Sequence, residues 1–185
     1  MQIKYTITFL SDWHAGSGLS AGAEADAVVI KDKNNLPYLP GKTIKGLLKD
    51  ALYDIIEVQP SLIDIAKVDQ YFGKENENTK GSIAGTLFFS NAQLPKNEAE
   101  EITKELSDFL YHNLASTTID DNGVAKAGSL RTMEVCVPLT LEAEIEGVEK
   151  EDVAIFETAF KYLRHLGVNR NRGLGRCKFK LIATN

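Results

Sequence analysis

Hydrophobic and polar residues alternate at the start of the chain, which predicts a half-buried strand over residues 2–10. Ile3, Tyr5, Ile7 and Phe9 share one face, and polar side chains share the other. The clearest alternation comes over residues 133–145, where Pro138 indicates an edge strand or a bulge. Further strands are expected at residues 28–30, 86–92 and 176–183.

Other segments repeat apolar residues at the spacing of an amphipathic helix. This pattern predicts helices over residues 42–57, 61–72, 98–114 and 151–166, and Gly167 is typical of the glycine that follows a helix end. Residues 73–81 are polar and are expected to form a loop. Residues 115–129 show no period and are expected to form a long loop or a flexible hairpin.

When the intervening pieces are set aside, the order of elements is β-α-β-β-α-β. This order predicts the α+β class, with a ferredoxin-like (RRM-like) core in which two helices cover one face of an antiparallel sheet. We expect a single domain over residues 1–185, with helical and loop insertions at about 58–84 and 93–131.

Composition restricts the possible classes of protein. The apolar fraction of 43% over 185 residues is sufficient for a core. No apolar run is long enough to cross a membrane, and we expect no signal peptide, so we expect a cytoplasmic protein without a membrane partner. Cys136 and Cys177 are far apart in strand-like segments, which predicts buried thiols rather than a zinc site or a disulfide.

Charge is unevenly distributed, although the formal net charge is −5. Residues 161–185 contain no acidic residue, whereas acidic residues concentrate at 98–108 and 142–157. A surface polarised in this way can bind a polyanion on one face despite a negative total. The basic residues of the C-terminal segment are Lys161, Arg164, Arg170, Arg172, Arg176, Lys178 and Lys180.

A Pro-Gly pair leads into the most basic predicted helix. Lys42, Lys45 and Lys49 fall on the face opposite its apolar stripe, near the positive end of the helix dipole. A bound anion would make these lysines favourable, and a solvated basic face is the alternative. Gly41-Lys42-Thr43 resembles the end of a P-loop, but position 36 is leucine where that motif requires glycine, which excludes a nucleotide-binding loop.

A second basic element lies between the last predicted helix and the last strand. Arg170, Arg172 and Arg176 surround Gly173 and Gly175, and the guanidinium fork matches phosphate oxygens. The glycines would permit close approach of the backbone to a ligand. A tight turn with a basic rim is the alternative, and we favour phosphate binding.

The small-residue loop after the first strand contains further candidates. His14 suggests a general base, and Asp12, Glu24 and Asp26 suggest a metal site. A single histidine after a strand more often has a structural role.

With these motifs in order, the chain resembles the RAMP superfamily of CRISPR proteins, and most of all the repeated backbone subunit of type III RNA-targeting effector complexes. The likeness spans nearly the whole chain. The motifs that carry it are His14-Ala15-Gly16-Ser17-Gly18, Asp26 before Val28-Val29-Ile30, the segment Leu36 to Gly46, Tyr71-Phe72-Gly73, the segment Gly85 to Ala92, Glu134, and Arg172-Gly173-Leu174-Gly175-Arg176.

The resemblance implies a subunit that binds guide RNA, assembles with copies of itself and other CRISPR effector subunits in antiviral defence, and presents the guide to target RNA. It implies a protruding thumb within residues 115–131. It also implies an endoribonuclease, a hydrolase in which Asp26 holds a divalent metal, Mg²⁺ or Mn²⁺, that the RNA helps to bind. The expected RNA-binding residues are Lys42, Lys45, Lys49, Arg131, Arg170, Arg172, Gly173, Gly175 and Arg176.

Three alternatives stay open from the sequence. The first is a non-catalytic RNA-binding RAMP subunit. The second is a metal-independent endoribonuclease that processes CRISPR precursor RNA with His14 as its base. The third is an unrelated ferredoxin-like protein that binds small anions.

Overall fold

The computed structural model describes residues 1–22, 25–76, 81–102 and 104–184, which contain eight strands and five α-helices. Short 3₁₀ turns occur at Asp108–Leu110, Lys150–Asp152 and Arg170–Arg172. In chain order the elements are β1 (Gln2–Phe9), α1 (Gly41–Val58), α2 (Ile65–Phe72), β2 (Gly73–Asn76), β3 (Gly81–Ala84), β4 (Phe88–Phe89), α3 (Lys96–Glu101), α4 (Lys104–Ser107), β5 (Tyr111–Ser116), β6 (Arg131–Cys136), β7 (Thr140–Glu146), α5 (Val153–Tyr162) and β8 (Cys177–Thr184).

The main sheet has the strand order β4-β7-β1-β8, and every neighbouring pair is antiparallel. Ile7 at the centre of β1 pairs with Leu141 on one side and Phe179 on the other. With α1 and α5 inserted in chain order, this is the β-α-β-β-α-β arrangement. The ferredoxin-like α+β fold that the sequence predicts is confirmed.

The core lies between the sheet and helices α1 and α5. Alternate residues of β1 are buried, as the period of two predicts. Tyr5 packs against Phe160 of α5 and Phe179 of β8, with ring centroids 4.8 and 6.1 Å apart. Burial of each large apolar side chain contributes about 1.5–3 kcal/mol, so this alternation pins the register of the central strand.

Two groups of elements interrupt the core. Helix α2 and the β2–β3 hairpin lie between α1 and β4, and the segment from α3 to β6 lies between β4 and β7. The loop predicted over residues 73–81 is wrong at both ends, because Gly73–Asn76 pairs with Gly81–Ala84. Residues 77–80 lie outside the described part of the chain.

The helix predicted over residues 98–114 is also wrong in its second half. Helices α3 and α4 are short, and the chain becomes β5 at Tyr111. Strand β5 pairs with β6 from Tyr111–Cys136 to Ser116–Arg131, so ladder hydrogen bonds outweigh the local helical pattern. Residues 115–129 were expected to form a long loop or a flexible hairpin, and the pairing of β5 with β6 makes this segment the connection of a hairpin.

The long strand predicted over residues 133–145 is two strands, β6 and β7, divided at Pro138. Proline has no N–H to continue a ladder, and the chain changes there from the β5–β6 sheet to the main sheet. The segments 28–30 and 86–92 are strand-like only in isolated bridges and in the two residues of β4.

Helix α5 ends at Tyr162, four residues before the predicted end. Gly167 therefore does not end the helix. Its φ is +93°, and a Cβ there would overlap the carbonyl oxygen of His14, so the glycine permits contact between two loops.

None of the helices in the described ranges has the length and the apolar character that a membrane span requires.

Candidate functional site

A cavity of about 400 Å³ joins three segments that are far apart in sequence. These are the loop that contains Asp26, the base of the β5–β6 hairpin with Arg131, and the turn before β8 with Arg172. We call it the Asp26 cavity. Its other lining residues are Ala27, Leu114, Ala115, Ser116, Thr132, Met133, Asn169 and Leu174. Three residues predicted independently for catalysis or RNA binding thus share one site.

Asp26 is held to β6 at both its main chain and its side chain. Its N–H donates to the Thr132 carbonyl over 2.8 Å, and its Oδ2 accepts the Thr132 N–H over 2.8 Å. Asp26 is exposed, so its carboxyl group is accessible to a ligand while these bonds fix its direction. A fixed, solvent-facing carboxylate in a cavity that Arg131 and Arg172 also line can bind a cation or a hydroxyl group.

Glu134, two residues after Thr132 in β6, also holds the loop that contains Asp26. Its Oε2 accepts the Val29 N–H over 2.9 Å, and its Oε1 pairs with the Lys31 ammonium over 2.8 Å. The Lys31 ammonium also lies 3.7 Å from the centre of the Tyr111 ring, a cation–π contact that ties β5 to this brace. Glu134 and Thr132 together hold residues 26–31 against the hairpin.

His14 lies inside the protein, with 2% of its surface exposed. Its Nδ1 is 2.6 Å from the Glu134 carbonyl oxygen, so Nδ1 carries the proton and donates it. The His14 carbonyl in turn accepts the Val168 N–H over 3.1 Å. These contacts make His14 a structural link between the first loop, β6 and the turn before β8.

The two glycines of the basic turn have different environments. Gly175 has φ +68°, and a Cβ there would overlap the Leu166 carbonyl oxygen, so this glycine permits approach of the protein's own backbone rather than of a ligand. Its N–H also donates to the Asp12 carbonyl over 2.8 Å. Gly173 has φ +92° and open space around its Cβ position. Only Gly173 has the freedom that the sequence suggested for both.

The three arginines of this turn do not lie at one site. Arg170 and Arg172 belong to the exposed 3₁₀ turn, and Arg172 lines the Asp26 cavity. Arg176 lines a different groove of about 600 Å³ between the end of α5 and the start of β8. The structure therefore does not bring all three predicted arginines to one site.

The three lysines of α1 also differ in their surroundings. Lys42 is exposed, whereas Lys45 donates to the Leu87 carbonyl over 3.2 Å and Lys49 to the Gly73 carbonyl over 2.6 Å. Burial, with a contribution from the nearby Lys49 charge, lowers the pKa of Lys45. Lys45 and Lys49 thus secure the segment that follows α1, and none of the three lysines lines the Asp26 cavity.

The N-terminus of α1 is occupied by the chain itself. The Gly41 N–H donates to the Asn91 side-chain oxygen over 2.9 Å, and a Cβ at Gly41 would overlap the Phe89 carbonyl oxygen. This glycine therefore permits close packing of the helix start against β4. The anion site expected there from the helix dipole has a protein amide oxygen in place of an external anion.

Asn169 and Thr132 are among the residues of the Asp26 cavity that sequence reasoning missed. Asn169 has φ +54°, a left-handed conformation that asparagine tolerates better than most residues. Its position directly before the basic turn was the available signal. Thr132 was not recoverable, because its role is a main-chain bond to a residue 106 positions away.

The predicted burial of both cysteines is confirmed in the described structure. Cys136 and Cys177 are buried and free of disulfide bonds, and burial raises the pKa of each thiol to about 12. His112 belongs to β5, and its Nε2 is 3.0 Å from the Asp12 carboxylate.

The residues present fit a divalent metal only in part. Asp26 is the one carboxylate among the described residues that line the cavity, and no group of three or more metal-ligating side chains occurs in the described part of the chain. Glu24 lies outside the described residues. Asp26 alone makes a weak site that oxygen atoms of a bound ligand would have to complete.

Comparisons with known proteins agree with the fold. A model of the RAMP superfamily matches residues 6–178. A chain from the cryo-EM structure of the type III-B Cmr-beta bound to cognate target RNA aligns at 13% identity with a TM-score of 0.73, covering 98% of this chain and 97% of that one. A chain from the apo state of type III-B Cmr-beta aligns at 14% identity with a TM-score of 0.67 and the same coverage. A search of curated proteins found no match.

Proposed function

Because the chain belongs to the RAMP superfamily, we propose that it is a guide-RNA-binding backbone subunit of a type III CRISPR effector complex that cleaves target RNA. Its partners are guide RNA, target RNA, copies of itself and other effector subunits. Support comes from the similarity in fold to chains of two type III-B Cmr-beta structures, one of them bound to cognate target RNA.

The observation that carries the proposal is the Asp26 cavity. A carboxylate able to attract a metal ion lies in one cavity with Arg131 and Arg172, whose side chains bind phosphate well. Arg131 begins β6, at the base of the hairpin that the family resemblance identifies as the thumb. A strand of RNA in this cavity would be contacted by the fold's core and by the hairpin together.

Asp26 is the residue that would hold Mg²⁺ or Mn²⁺. When bound, the ion would neutralise charge on the phosphate and assist attack by the neighbouring 2′-hydroxyl. That attack would form a 2′,3′-cyclic phosphate and break the P–O5′ bond, with the 2′-hydroxyl proton passing to solvent and the 5′-oxygen leaving as a hydroxyl. The protein's own contribution is orientation, because Thr132 and Glu134 fix the loop while Arg131 and Arg172 hold the phosphate. His14 is not assigned as a base, since it is buried and donates from Nδ1 to a carbonyl.

The test is target cleavage by the assembled complex with Asp26→Asn. Asparagine keeps an oxygen that can accept the Thr132 N–H, so the loop stays in place while the charge is lost. Glu157→Gln, which neutralises an exposed carboxylate on α5, is the matched control. We expect guide RNA to be retained by both variants, and cleavage to be lost only in Asp26→Asn and in wild type treated with EDTA. Undiminished cleavage by Asp26→Asn would disprove the catalytic assignment.

A second candidate is a non-catalytic RAMP subunit that binds RNA without cutting it. The single carboxylate of the Asp26 cavity favours this alternative, because one side chain binds a divalent metal weakly. The same experiment separates the two. Guide binding without any metal-dependent cleavage by the wild-type complex would identify the non-catalytic subunit.

A further inference from the structure

Arg176 lines a groove to which Arg172 does not contribute. We call it the α5–β8 groove. It has a volume of about 600 Å³ and runs between the end of α5 and the first residues of β8. Its apolar and neutral lining consists of Leu10, Phe160, Leu163, Cys177 and Phe179. Its basic lining consists of Lys161, Arg164, His165, Arg176 and Lys178.

The charges of this groove are uncompensated. Lys161, Arg164, Arg176 and Lys178 are exposed, and none forms an ion pair with another residue in the described ranges. No acidic residue of the described ranges lines the groove. Four like charges around one concave surface repel one another in the free protein, so a polyanion bound there would relieve that repulsion.

The groove and the Asp26 cavity are separate surfaces. They share no lining residue. The chain between Arg172 and Arg176 is held in place, since the Leu166 N–H donates to the Gly175 carbonyl over 2.8 Å and the Arg176 N–H donates to Ser11 Oγ over 3.0 Å. A ligand in one site therefore does not have to occupy the other.

We infer that the α5–β8 groove holds the phosphodiester backbone of a single-stranded RNA segment distinct from the segment at Asp26. This inference rests on the proposed function for the identity of the ligand as RNA, but it does not require cleavage. The two guanidinium groups match phosphate oxygens. The aromatic rings of the floor offer little free face, since Phe160 is 2% and Phe179 is 7% exposed. Contact is accordingly with the backbone and independent of base sequence.

The same rings argue against an acidic peptide as the ligand. A peptide that binds in a groove gains most of its affinity from apolar side chains inserted into pockets. Here Phe160 and Phe179 are already packed against Tyr5 in the core, so the floor is closed to an inserted side chain. The groove instead presents positively charged side chains. These suit a ligand that carries a negative charge on every repeating unit, as RNA does on every nucleotide.

The test compares the binding of mixed-sequence single-stranded RNA by two double variants with equal change in formal charge. Arg164→Glu/Lys178→Glu alters the groove. Lys96→Glu/Lys150→Glu alters two exposed lysines that line neither site. We expect the groove variant to bind at least about tenfold more weakly and with a smaller dependence on salt, because fewer counterions are released. The control should retain affinity within about twofold, since its charges lie away from the RNA.

The outcomes distinguish this inference from the proposed function. Equal affinity and equal salt dependence of both variants, with normal thermal unfolding, would overturn the groove alone. Failure of the wild-type protein to bind any RNA would overturn both. Binding of poly-glutamate as tightly as RNA, lost in the groove variant, would assign the groove to an acidic protein and also overturn the inference.

Discussion

The Asp26 carboxylate accepts the main-chain N–H of Thr132 while the Asp26 N–H donates to the Thr132 carbonyl, each over 2.8 Å. This reciprocal pair joins the loop after β1 to the base of the β5–β6 hairpin. It places a charged group at a fixed point of the Asp26 cavity. The same residue therefore has a structural contact and, in our proposal, a catalytic one.

The two contributions of Asp26 can be separated by substitution. Asp26→Ala removes both the charge and the bond to Thr132, and we expect it to lower the free energy of unfolding by about 0.5–1.5 kcal/mol, the usual contribution of one hydrogen bond. Asp26→Asn keeps the bond, and its free energy of unfolding should stay within about 0.5 kcal/mol of wild type. Urea denaturation of the purified protein measures both. Equal destabilisation by the two substitutions would show that the charge, rather than the bond, stabilises the loop.

The glycines of the basic turn should differ sharply in their tolerance of alanine. Gly173→Ala meets open space, so its cost is the strain of a positive φ, about 1–2 kcal/mol. Gly175→Ala adds an overlap with the Leu166 carbonyl, which brings the expected loss to about 2–5 kcal/mol. Thermal and urea unfolding of the two variants provide the comparison. A smaller loss for Gly175→Ala than for Gly173→Ala would contradict the packing described here.

The α1 lysines should separate stability from RNA binding. Lys49→Met removes a charged donor from the Gly73 carbonyl in a half-buried setting, and we expect a loss of about 1–2 kcal/mol in unfolding free energy. Lys42→Met, on the exposed side of the same helix, should change stability by less than about 0.5 kcal/mol. If Lys42 contacts RNA, its variant binds a few-fold more weakly at low salt. Wild-type RNA affinity for Lys42→Met would remove this residue from the interface.

The buried thiols predict a pH effect on reactivity and on stability. Burial raises the pKa of Cys136 and Cys177 to about 12 from the ordinary value of 9.0, so both are protonated in the native protein at pH 8. A thiol-specific reagent should label neither residue until the protein is unfolded. As the pH rises, the thiols ionise in the unfolded protein near pH 9 but in the native protein only near pH 12. The stabilisation that the buried thiols contribute is therefore complete below pH 9 and is lost progressively between pH 9 and pH 12.

Two measurements check this prediction. Labelling with a chromogenic disulfide reagent at pH 8 should yield no product from native protein and full reaction of both cysteines in denaturant. Urea denaturation at increasing pH should show a falling free energy of unfolding above about pH 9. Rapid labelling of the native protein would show that one of these thiols is accessible, contrary to its position in the core.

Parts of the structure could be derived from local sequence and parts could not. The alternation of β1 and the apolar stripe of α1 each follow from a repeat that neighbouring residues set, and both were predicted to within two residues of their bounds. Tyr111 shows the opposite case. Its local pattern is helical, but its partner Cys136 lies 25 residues away, and the ladder between them determines a strand.

The glycine-containing turn shows why a motif recognised in the sequence did not predict which of its residues share a binding site. Its arginines and glycines suggested one phosphate loop, yet Arg172 and Arg176 line different surfaces. The reason lies in Gly175, which is anchored to Leu166 and Asp12 and divides the turn. Neither Leu166 nor Asp12 belongs to the motif. The sequence of the motif alone therefore could not predict that Arg172 and Arg176 line different surfaces.

By itself, the sequence determined the order of the core elements, the ferredoxin-like class and the basic character of the C-terminal segment, because these depend on periodicity and composition along the chain. The tertiary structure alone decided that Asp26, Arg131 and Arg172 share one cavity and that Lys45 and Lys49 bind main-chain carbonyls. Pairing between residues more than a hundred positions apart, as between Asp26 and Thr132, is set by packing of the whole chain. No repeat within a segment encodes it.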